Sequence, residues 1–531
     1  MFELTASDLL GRNGIIHTSK GKIRTPCFVP VVHPEPTKNL VNVSEFSSGF
    51  DVEFIITSSY ILKKRFDDTI TDLHKLTEFQ GPIMTDSGAF QSLVYGEIEF
   101  TPESVIKFQE GIGSDFAVPL DLPISKLDSY DLAKSKVDET IKRCQEVPNL
   151  IKSLKTLWVG PIQGGKYLDL VEKSSIAVSD IDSFDMFAIG SVVELMNDYQ
   201  YDTLIDIIIT GKKNLNSGKP LHLFGAGHPS MFALIVAAGC DSFDSAAYSL
   251  YAQKDRYLTV NQTFQLEELE EFPCNCPVCV QITPAELQKK KKKERMKLLA
   301  SHNLYVCQAE IKNIRNAVSN GLLWNLIETR SRSHPNLRKG FERLISYSKL
   351  LTTSSPSTKK KGIFLTSESD LFRPEIILHS KRLKNLTFNE RKKLVLISLL
   401  NVDINEIYSL VSKIRSQVKK DSKLTRDYEI WLIDPYFDIV PLEIANVYPL
   451  TQFVSIKNIS SIIIHEKINL LFDFLTKCKF KEIVLIGDIK KLIMLEKSYL
   501  YFANLKIKLS TFGLKISENR LKDIEKVLEF L

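Results

Sequence analysis

Leu221-His-Leu-Phe-Gly-Ala-Gly-His-Pro229 and Gly239-Cys-Asp-Ser-Phe-Asp-Ser245 carry the pattern on which the fold is read. A β-type run, Leu221–Gly225, breaks into glycines, and a second, Ser242–Ser245, contains an acid near its end. Working outward from this pair, similar runs recur at Cys27–Val32, Glu53–Ser58, Ile83–Asp86, Phe116–Asp121, Leu157–Gln163 and Met186–Gly190. Amphipathic stretches long enough for crossover helices lie between them, at Pro102–Gly111, Leu132–Val147, Tyr167–Val178 and Tyr199–Lys212. Eight β-type runs alternating with helical ones predict an α/β protein built on a (β/α)₈ TIM-type barrel, with an open doubly wound sheet as the competing arrangement.

The strand ends favour the barrel, whose chemistry gathers on the loops that follow the strands. They read Thr85-Asp-Ser-Gly88, Leu120-Asp-Leu-Pro123, Gln163-Gly-Gly165, Gly190-Ser191, Gly225-Ala-Gly-His228 and Phe243-Asp-Ser245. One acid after an apolar run is usually a helix cap. Several acids, amides and glycines on one rim point to a site, because glycine lets a ligand approach the backbone and a half-buried carboxylate is costly.

At 531 residues the chain exceeds what one hydrophobic core supports, and its 44% hydrophobic and 25% charged composition excludes a disordered or fibrous protein. No apolar run approaches the roughly 20 residues of a membrane span, and the first ten residues lack the pattern of a signal peptide. A cytoplasmic protein is expected. The net charge of +5 is unevenly placed: from Leu351 onward there are 30 basic residues against 21 acidic ones, while acids outnumber bases before it. A basic appendage suits a polyanion, although lysine-rich surfaces are often merely solubilising. Lys289–Lys293, five consecutive lysines, divides evenly between a phosphate-gripping edge and a solvated helix face.

Cys274, Cys276 and Cys279 crowd too closely for disulfide staples and converge naturally on one cation, with His302 brought back by an intervening helix as fourth ligand. Four protein ligands close a tetrahedral zinc site, so one structural Zn²⁺ per chain is expected, without a position for an activated water. The other cysteines are scattered and read as buried thiols. The expected organisation is a catalytic barrel over 1–265, a zinc-binding segment with closing helices over 266–350, a linker over 351–361 and an α/β appendage over 362–531. In the appendage, strands are expected at Glu429–Ile433, Ile462–His465 and Glu482–Gly487, and helices at Ile468–Cys478, Lys490–Leu500 and Glu518–Leu531.

If Asp86 and Asp244 face each other across the barrel mouth, they form the pair needed to break and remake a glycosidic bond with retention. One carboxylate attacks the anomeric carbon and the other moves the proton, a division of labour seen at a separation of about 5 Å in glycosidases. Asp121 and Gln163 could then read a planar heterocycle by hydrogen bonds, with Phe90 stacked on it. A sugar within a nucleic acid would require its base to leave the stack first.

Met84-Thr-Asp-Ser-Gly-Ala-Phe-Gln91, Gly160-Pro-Ile-Gln-Gly-Gly165, Phe224-Gly-Ala-Gly-His-Pro229, Gly239–Ser245 and the Cys/His set together resemble the tRNA-guanine transglycosylases, in unbroken order over about residues 5–330. Phe243-Asp-Ser-Ala-Ala-Tyr248 and the long extension resemble the archaeal branch. The resemblance implies exchange of guanine 15 in the tRNA D-loop for 7-cyano-7-deazaguanine, an early step toward archaeosine. It implies Asp244 as nucleophile and Asp86 as general acid/base, with Phe90, Asp121, Gln163, Gly190 and Ser191 around the base. Asp241 competes with Asp244 on sequence alone, and only the motif register favours Asp244. Ser191-Val-Val-Glu194 is the stretch where the branches differ in preference for cyano or aminomethyl bases, and a backbone donor there would favour the nitrile. A homodimer is also implied.

Archaeal members typically close with a PUA-type RNA-binding module, whereas Leu514–Leu531 reads as a helix. The expected grip on tRNA therefore comes from the basic appendage or from a separate PUA-domain protein. Two competing functions are an archaeosine-synthase-like paralogue and a non-catalytic tRNA-binding subunit. Both are expected to have lost the acids or zinc ligands retained here.

Overall fold

The computed structural model describes residues 2–66, 72–89, 100–386, 393–398, 416, 428–434, 436–450, 452–456, 480, 482–487 and 508–513. It divides into two compact units, Met1–Tyr347 and Ser348–Leu531. The expected linker at 351–361 begins just past this division, and its first residues belong to the helix Ser348–Ser354.

The first unit opens with an antiparallel sheet of β1 (Phe2–Asp8), β2 (Gly11–Thr18) and β3 (Gly21–Thr25), which the sequence reading did not foresee. Eight parallel strands follow: β4 (Cys27–Pro30), β5 (Ile55–Ser58), β6 (Ile83–Asp86), β7 (Phe116–Ala117), β8 (Leu157–Ile162), β9 (Phe184–Ile189), β10 (Leu221–Leu223) and β11 (Ser242–Ser245). They pair in the order β4-β11-β10-β9-β8-β7-β6-β5. A parallel bridge between Val31 and Ile56, with the Val32 N–H donating to Ile56 O at 2.9 Å, joins the two ends of the sheet. The architecture is a TIM-type barrel. The β7 ladder is shorter than the run Phe116–Asp121 suggested, because Pro119 has no N–H to extend it.

Side chains that alternate inward fill the barrel as packed layers. Val29, Phe54, Met84, Phe116, Val159 and Met186 form one buried cluster, joined by Ile16 and Ile23 from the N-terminal sheet. Because β3 ends two residues before β4 begins, this sheet plugs the end where the strands start. The opposite end, where the strands finish, is left for a site.

Crossover helices cover the outside, among them α1 (Pro102–Gly111), α2 (Tyr130–Leu150), α3 (Leu168–Ser179), α4 (Tyr201–Asn214) and α5 (Pro229–Ala237). Helix α5 is apolar all round and buried along its whole length, the pattern of a helix packed on both sides. Burying its Phe232 and Leu234 contributes roughly 1.5–3 kcal/mol each. After α6 (Ala247–Gln253) and the hairpin β12 (Arg256–Leu258)–β13 (Thr263–Gln265), the long helix α7 (Lys292–Asn320) packs on α6, β12 and the N-terminal strands. It ends at Gly321, whose φ of 72° supplies the left-handed residue that closes a helix.

The second unit contains a five-stranded sheet. Strands β16 (Tyr428–Asp434), β15 (Lys393–Ser398), β19 (Glu482–Gly487) and β20 (Lys508–Gly513) are parallel, and β17 (Asp438–Pro441) runs antiparallel along β16. A separate parallel pair joins β14 (Ile363–Leu365) to β18 (Phe453–Ser455). The expected segments Ile462–His465, Ile468–Cys478, Lys490–Leu500 and Leu514–Leu531 lie outside the described residues.

Candidate active site

A cavity of about 330 Å³ opens at the C-terminal ends of the barrel strands. Asp86, Asp121, Gln163, Gly190, Ser191 and Asp244 all line it, so six residues from five strand ends meet at one place. Phe90 lies outside the described residues. Val31, Ile56, Val118 and Phe224 supply apolar wall, while Glu194 and Gly225 border the polar side.

Asp86 ends β6, and its Oδ1 accepts the Gly88 N–H at 2.8 Å, a tight turn that needs the positive φ of 76° at Gly88. A side chain at Gly88 would run into Tyr60. Burial pushes the Asp86 carboxyl up to about 7; the Ser58 hydroxyl and Gly88 N–H oppose the shift, and Asp244 and Asp121 add to it. It therefore holds or releases a proton near neutrality, as a group handling protons in both directions must.

Asp244 lies in β11 and is 7% exposed. Its Oδ1 accepts the Gly225 N–H and a hydrogen bond from His222 Nε2, each at 3.0 Å. Asp241, three residues earlier and immediately before β11, is completely buried at the other end of the barrel, where Arg12 Nε bonds its Oδ1 at 3.0 Å and Arg12 Nη2 its Oδ2. Of these two acids, only Asp244 reaches the cavity.

A hydrogen-bonded chain runs along the cavity wall. Ser87 donates to Asp121 Oδ1 at 2.7 Å, Gln163 Nε2 donates to Asp121 Oδ2 at 2.5 Å, and Ser191 donates to Gln163 Oε1. Ser191 is also held by the Ile124 N–H at 2.7 Å and has a left-handed φ of 59°, uncommon for a non-glycine residue and concentrated at functional sites. Gly190 permits this arrangement, since a Cβ there would lie 2.6 Å from Gln163 Nε2. Burial raises the Asp121 carboxyl above its ordinary range, against the pull of Ser87 and Gln163. One amide hydrogen of Gln163 is uncommitted among the described residues, so the wall can still donate to a flat polar ligand. Glu194 is held across the rim by Ser125 Oγ at 3.1 Å and the Lys126 N–H at 2.6 Å.

His222 was missed in the sequence. Its signal is parity: it stands between Leu221 and Leu223 in a short strand, on the face that turns into the barrel, where a polar side chain needs a partner.

Cys274, Cys276, Cys279 and His302 gather with their donor atoms within 4.8 Å of one another, a group that could hold a metal ion. His302 projects from α7; its Nε2 faces the Leu258 carbonyl at 2.9 Å, while Nδ1 lies 3.3 Å from Cys279 Sγ and 3.5 Å from Cys276 Sγ. Donation from Nε2 to the carbonyl fixes the tautomer that leaves Nδ1 free to ligate. The Tyr257 ring stacks on His302 with centroids 3.7 Å apart. Three sulfurs and one imidazole fit a tetrahedral site with every position taken by protein.

The sequence profile of the family described as Queuine tRNA-ribosyltransferase matches residues 8–336. The chain is 42% identical to the tRNA-guanine(15) transglycosylase of Methanococcus aeolicus, over 85% of this chain and 68% of that protein. It is also 42% identical to the protein of the same name from Methanocaldococcus jannaschii, with the same shares covered. With the one from Sulfolobus acidocaldarius it shares 35% identity, over 92% of this chain and 95% of the relative.

Proposed function

Because the chain belongs to the queuine tRNA-ribosyltransferase family, we propose that it is a tRNA-guanine(15) transglycosylase that exchanges the guanine for 7-cyano-7-deazaguanine through a covalent aspartyl-ribose intermediate. The observation that carries this reading is the meeting of Asp86 and Asp244 at one cavity whose wall is the Ser87–Asp121–Gln163–Ser191 chain.

Asp244 attacks C1′ of the ribose; an O–C1′ bond forms, the C1′–N9 bond breaks, and the electron pair leaves with guanine. Asp86 supplies the proton the leaving base takes up. The incoming base then gives its N9 proton to Asp86 and attacks C1′, and the pair in the O–C1′ bond returns to the Asp244 carboxylate. Two inversions give retention, and one glycosidic bond is broken for each one made, so no external energy source is required. Asp121, Gln163, Gly190 and Ser191 hold the base, with Phe90 as its stacking partner. Zinc suits the Cys274–Cys276–Cys279–His302 set and would supply structure alone, since a closed site offers no activated water.

The reading extends to a cytoplasmic homodimer that takes tRNA through its basic C-terminal unit, with a separate PUA-domain protein as an alternative source of affinity. Tight tRNA binding by the chain alone would remove the need for that partner. The deciding experiment is mass spectrometry of tRNA incubated with 7-cyano-7-deazaguanine, which reports product and position together. Wild-type protein is expected to convert position 15, and Asp244→Asn to convert none; full conversion by the variant would overturn the nucleophile assignment.

A further inference from the structure

Behind Asp244 lies a buried polar chain that takes no direct part in the exchange of bases. His222 is fully buried in β10 and sits in register with Ser242 of β11, two residues below Asp244 on the same strand. Ser242 Oγ is 2.8 Å from His222 Nδ1, and Asp244 Oδ1 is 3.0 Å from His222 Nε2. The Gly225 N–H reaches that same Oδ1 at 3.0 Å. Among the described residues no donor reaches Asp244 Oδ2, and Asp244 lines the cavity. The two carboxylate oxygens are therefore chemically distinct before any ligand arrives.

A carboxylate oxygen only accepts, so Nε2 carries a hydrogen and donates to Asp244 Oδ1, while Nδ1 pairs with the Ser242 hydroxyl, which can donate or accept. Phe224 closes one side, its ring edge-on to the imidazole at an interplanar angle of 71° and a centroid distance of 5.0 Å. Such a group, held on both nitrogens inside a packed barrel, fixes the plane of the carboxylate it faces.

The geometry points to His222 as a positioning residue that selects Oδ2 as the attacking oxygen of Asp244 and eases its later departure from the sugar. Oδ1, engaged by two donors, becomes the carbonyl oxygen of the aspartyl ester, while Oδ2 makes and breaks the bond to C1′. Hydrogen bonds to a carboxylate are stronger than those to an ester carbonyl. The two donors therefore stabilise the free carboxylate more than the adduct, and removing one slows breakdown of the adduct relative to its formation. No co-reactant is needed, and no atom of His222 is transferred.

This inference rests on Asp244 being the nucleophile, and the assay separates the two. Exchange of labelled guanine into tRNA is measured together with the fraction of protein carried as a tRNA adduct on denaturing gels. His222→Phe is expected to lower kcat about a hundredfold, the scale for losing one preorganised donor, with KM for tRNA within about twofold and a larger adduct fraction at steady state. His222→Gln, whose amide can present an N–H near the Nε2 position, should recover kcat to within about tenfold of wild type. Should His222→Phe fail to fold, as judged by circular dichroism, Ser242→Ala carries the test: without its partner at Nδ1 the ring is held on one nitrogen only, and kcat should fall about tenfold. A kcat for His222→Phe within about threefold of wild type, equal losses in the Phe and Gln variants, or an unchanged adduct fraction overturns the role of His222. Undiminished exchange by Asp244→Asn overturns the nucleophile instead.

Discussion

Asp241, just before β11, and Asp244, within it, stand three residues apart, yet they belong to different chemistry. Asp241 immediately precedes β11 and has no exposure, with both oxygens bonded by Arg12, the Leu221 N–H at 2.7 Å from Oδ2 and Lys212 Nζ at 3.9 Å. Asp244 is at the other end with two donors on one oxygen and the second oxygen uncommitted among the described residues. A carboxylate saturated by its own protein has no capacity left for a ligand. One that is half saturated, and held there by a buried imidazole and a glycine N–H, is oriented and still available. The difference lies in what surrounds each acid, a matter of which end of the barrel it occupies.

The largest effects should come from exchanging the fates of these two acids. Asp244→Asn is expected to abolish base exchange while changing the unfolding free energy by less than about 1 kcal/mol, since a half-satisfied cavity group holds little together. Asp241→Ala leaves the Leu221 N–H without its acceptor and the partly exposed Arg12 guanidinium with only the Ser217 and Lys219 carbonyls, and should cost about 2–4 kcal/mol in denaturant unfolding. The molecules that remain folded should still exchange base at the wild-type rate. Loss of specific activity in Asp241→Ala without loss of stability would mean that the two ends of β11 are not separate in function.

The Cys274–Cys276–Cys279–His302 group extends the comparison, because its four donors face one another as fully as Asp241 faces Arg12. Cys276→Ser is expected to lower the metal content of purified protein below one ion per chain and to cost roughly 2–4 kcal/mol of stability, as loss of a tightly bound ligand does. Activity should follow the folded fraction. A variant that keeps its melting temperature but loses exchange would place the metal in the reaction and break the parallel with Asp241.

How much of this is legible in the sequence depends on whether a feature is local. Ile83–Asp86 and Ser242–Ser245 coincide with strands β6 and β11, because a short buried strand writes its own apolar run and its end is marked by Ser87-Gly88 or the following helix. The Cys/His group is equally local in its first three members. The N-terminal sheet was not read, since β1 is half exposed along most of its length and its alternation is blurred. His222 was missed because its meaning lies on the neighbouring strand, 22 residues away at Asp244. Asp241 and Asp244 could not be told apart from composition, as Arg12 lies 229 residues from Asp241. Long-range partners decide which polar residues are structural, and a single strand does not record them.

The smallest effect is the pH dependence of Asp86, which sits between the two extremes. Burial raises its carboxyl to about 7, above the ordinary carboxylate value retained in the unfolded chain. Between those two pH values the folded protein keeps a proton that the unfolded chain has released, so stability falls as pH rises through this window and levels off above about 7. Asp86→Asn cannot ionise and removes that fall. Relative to wild type it should gain about 1–2 kcal/mol between pH 4 and pH 8, less than the full shift implies because the carboxylate meets cavity water. The same proton should appear in the chemistry. In single-turnover reactions without incoming base, wild-type adduct formation is expected to slow above about pH 7, as the acid that protonates departing guanine is lost. A stability difference that does not change with pH, together with a rate that does not fall on the alkaline side, would make Asp86 a spectator like Asp241 and leave Asp244 without its partner.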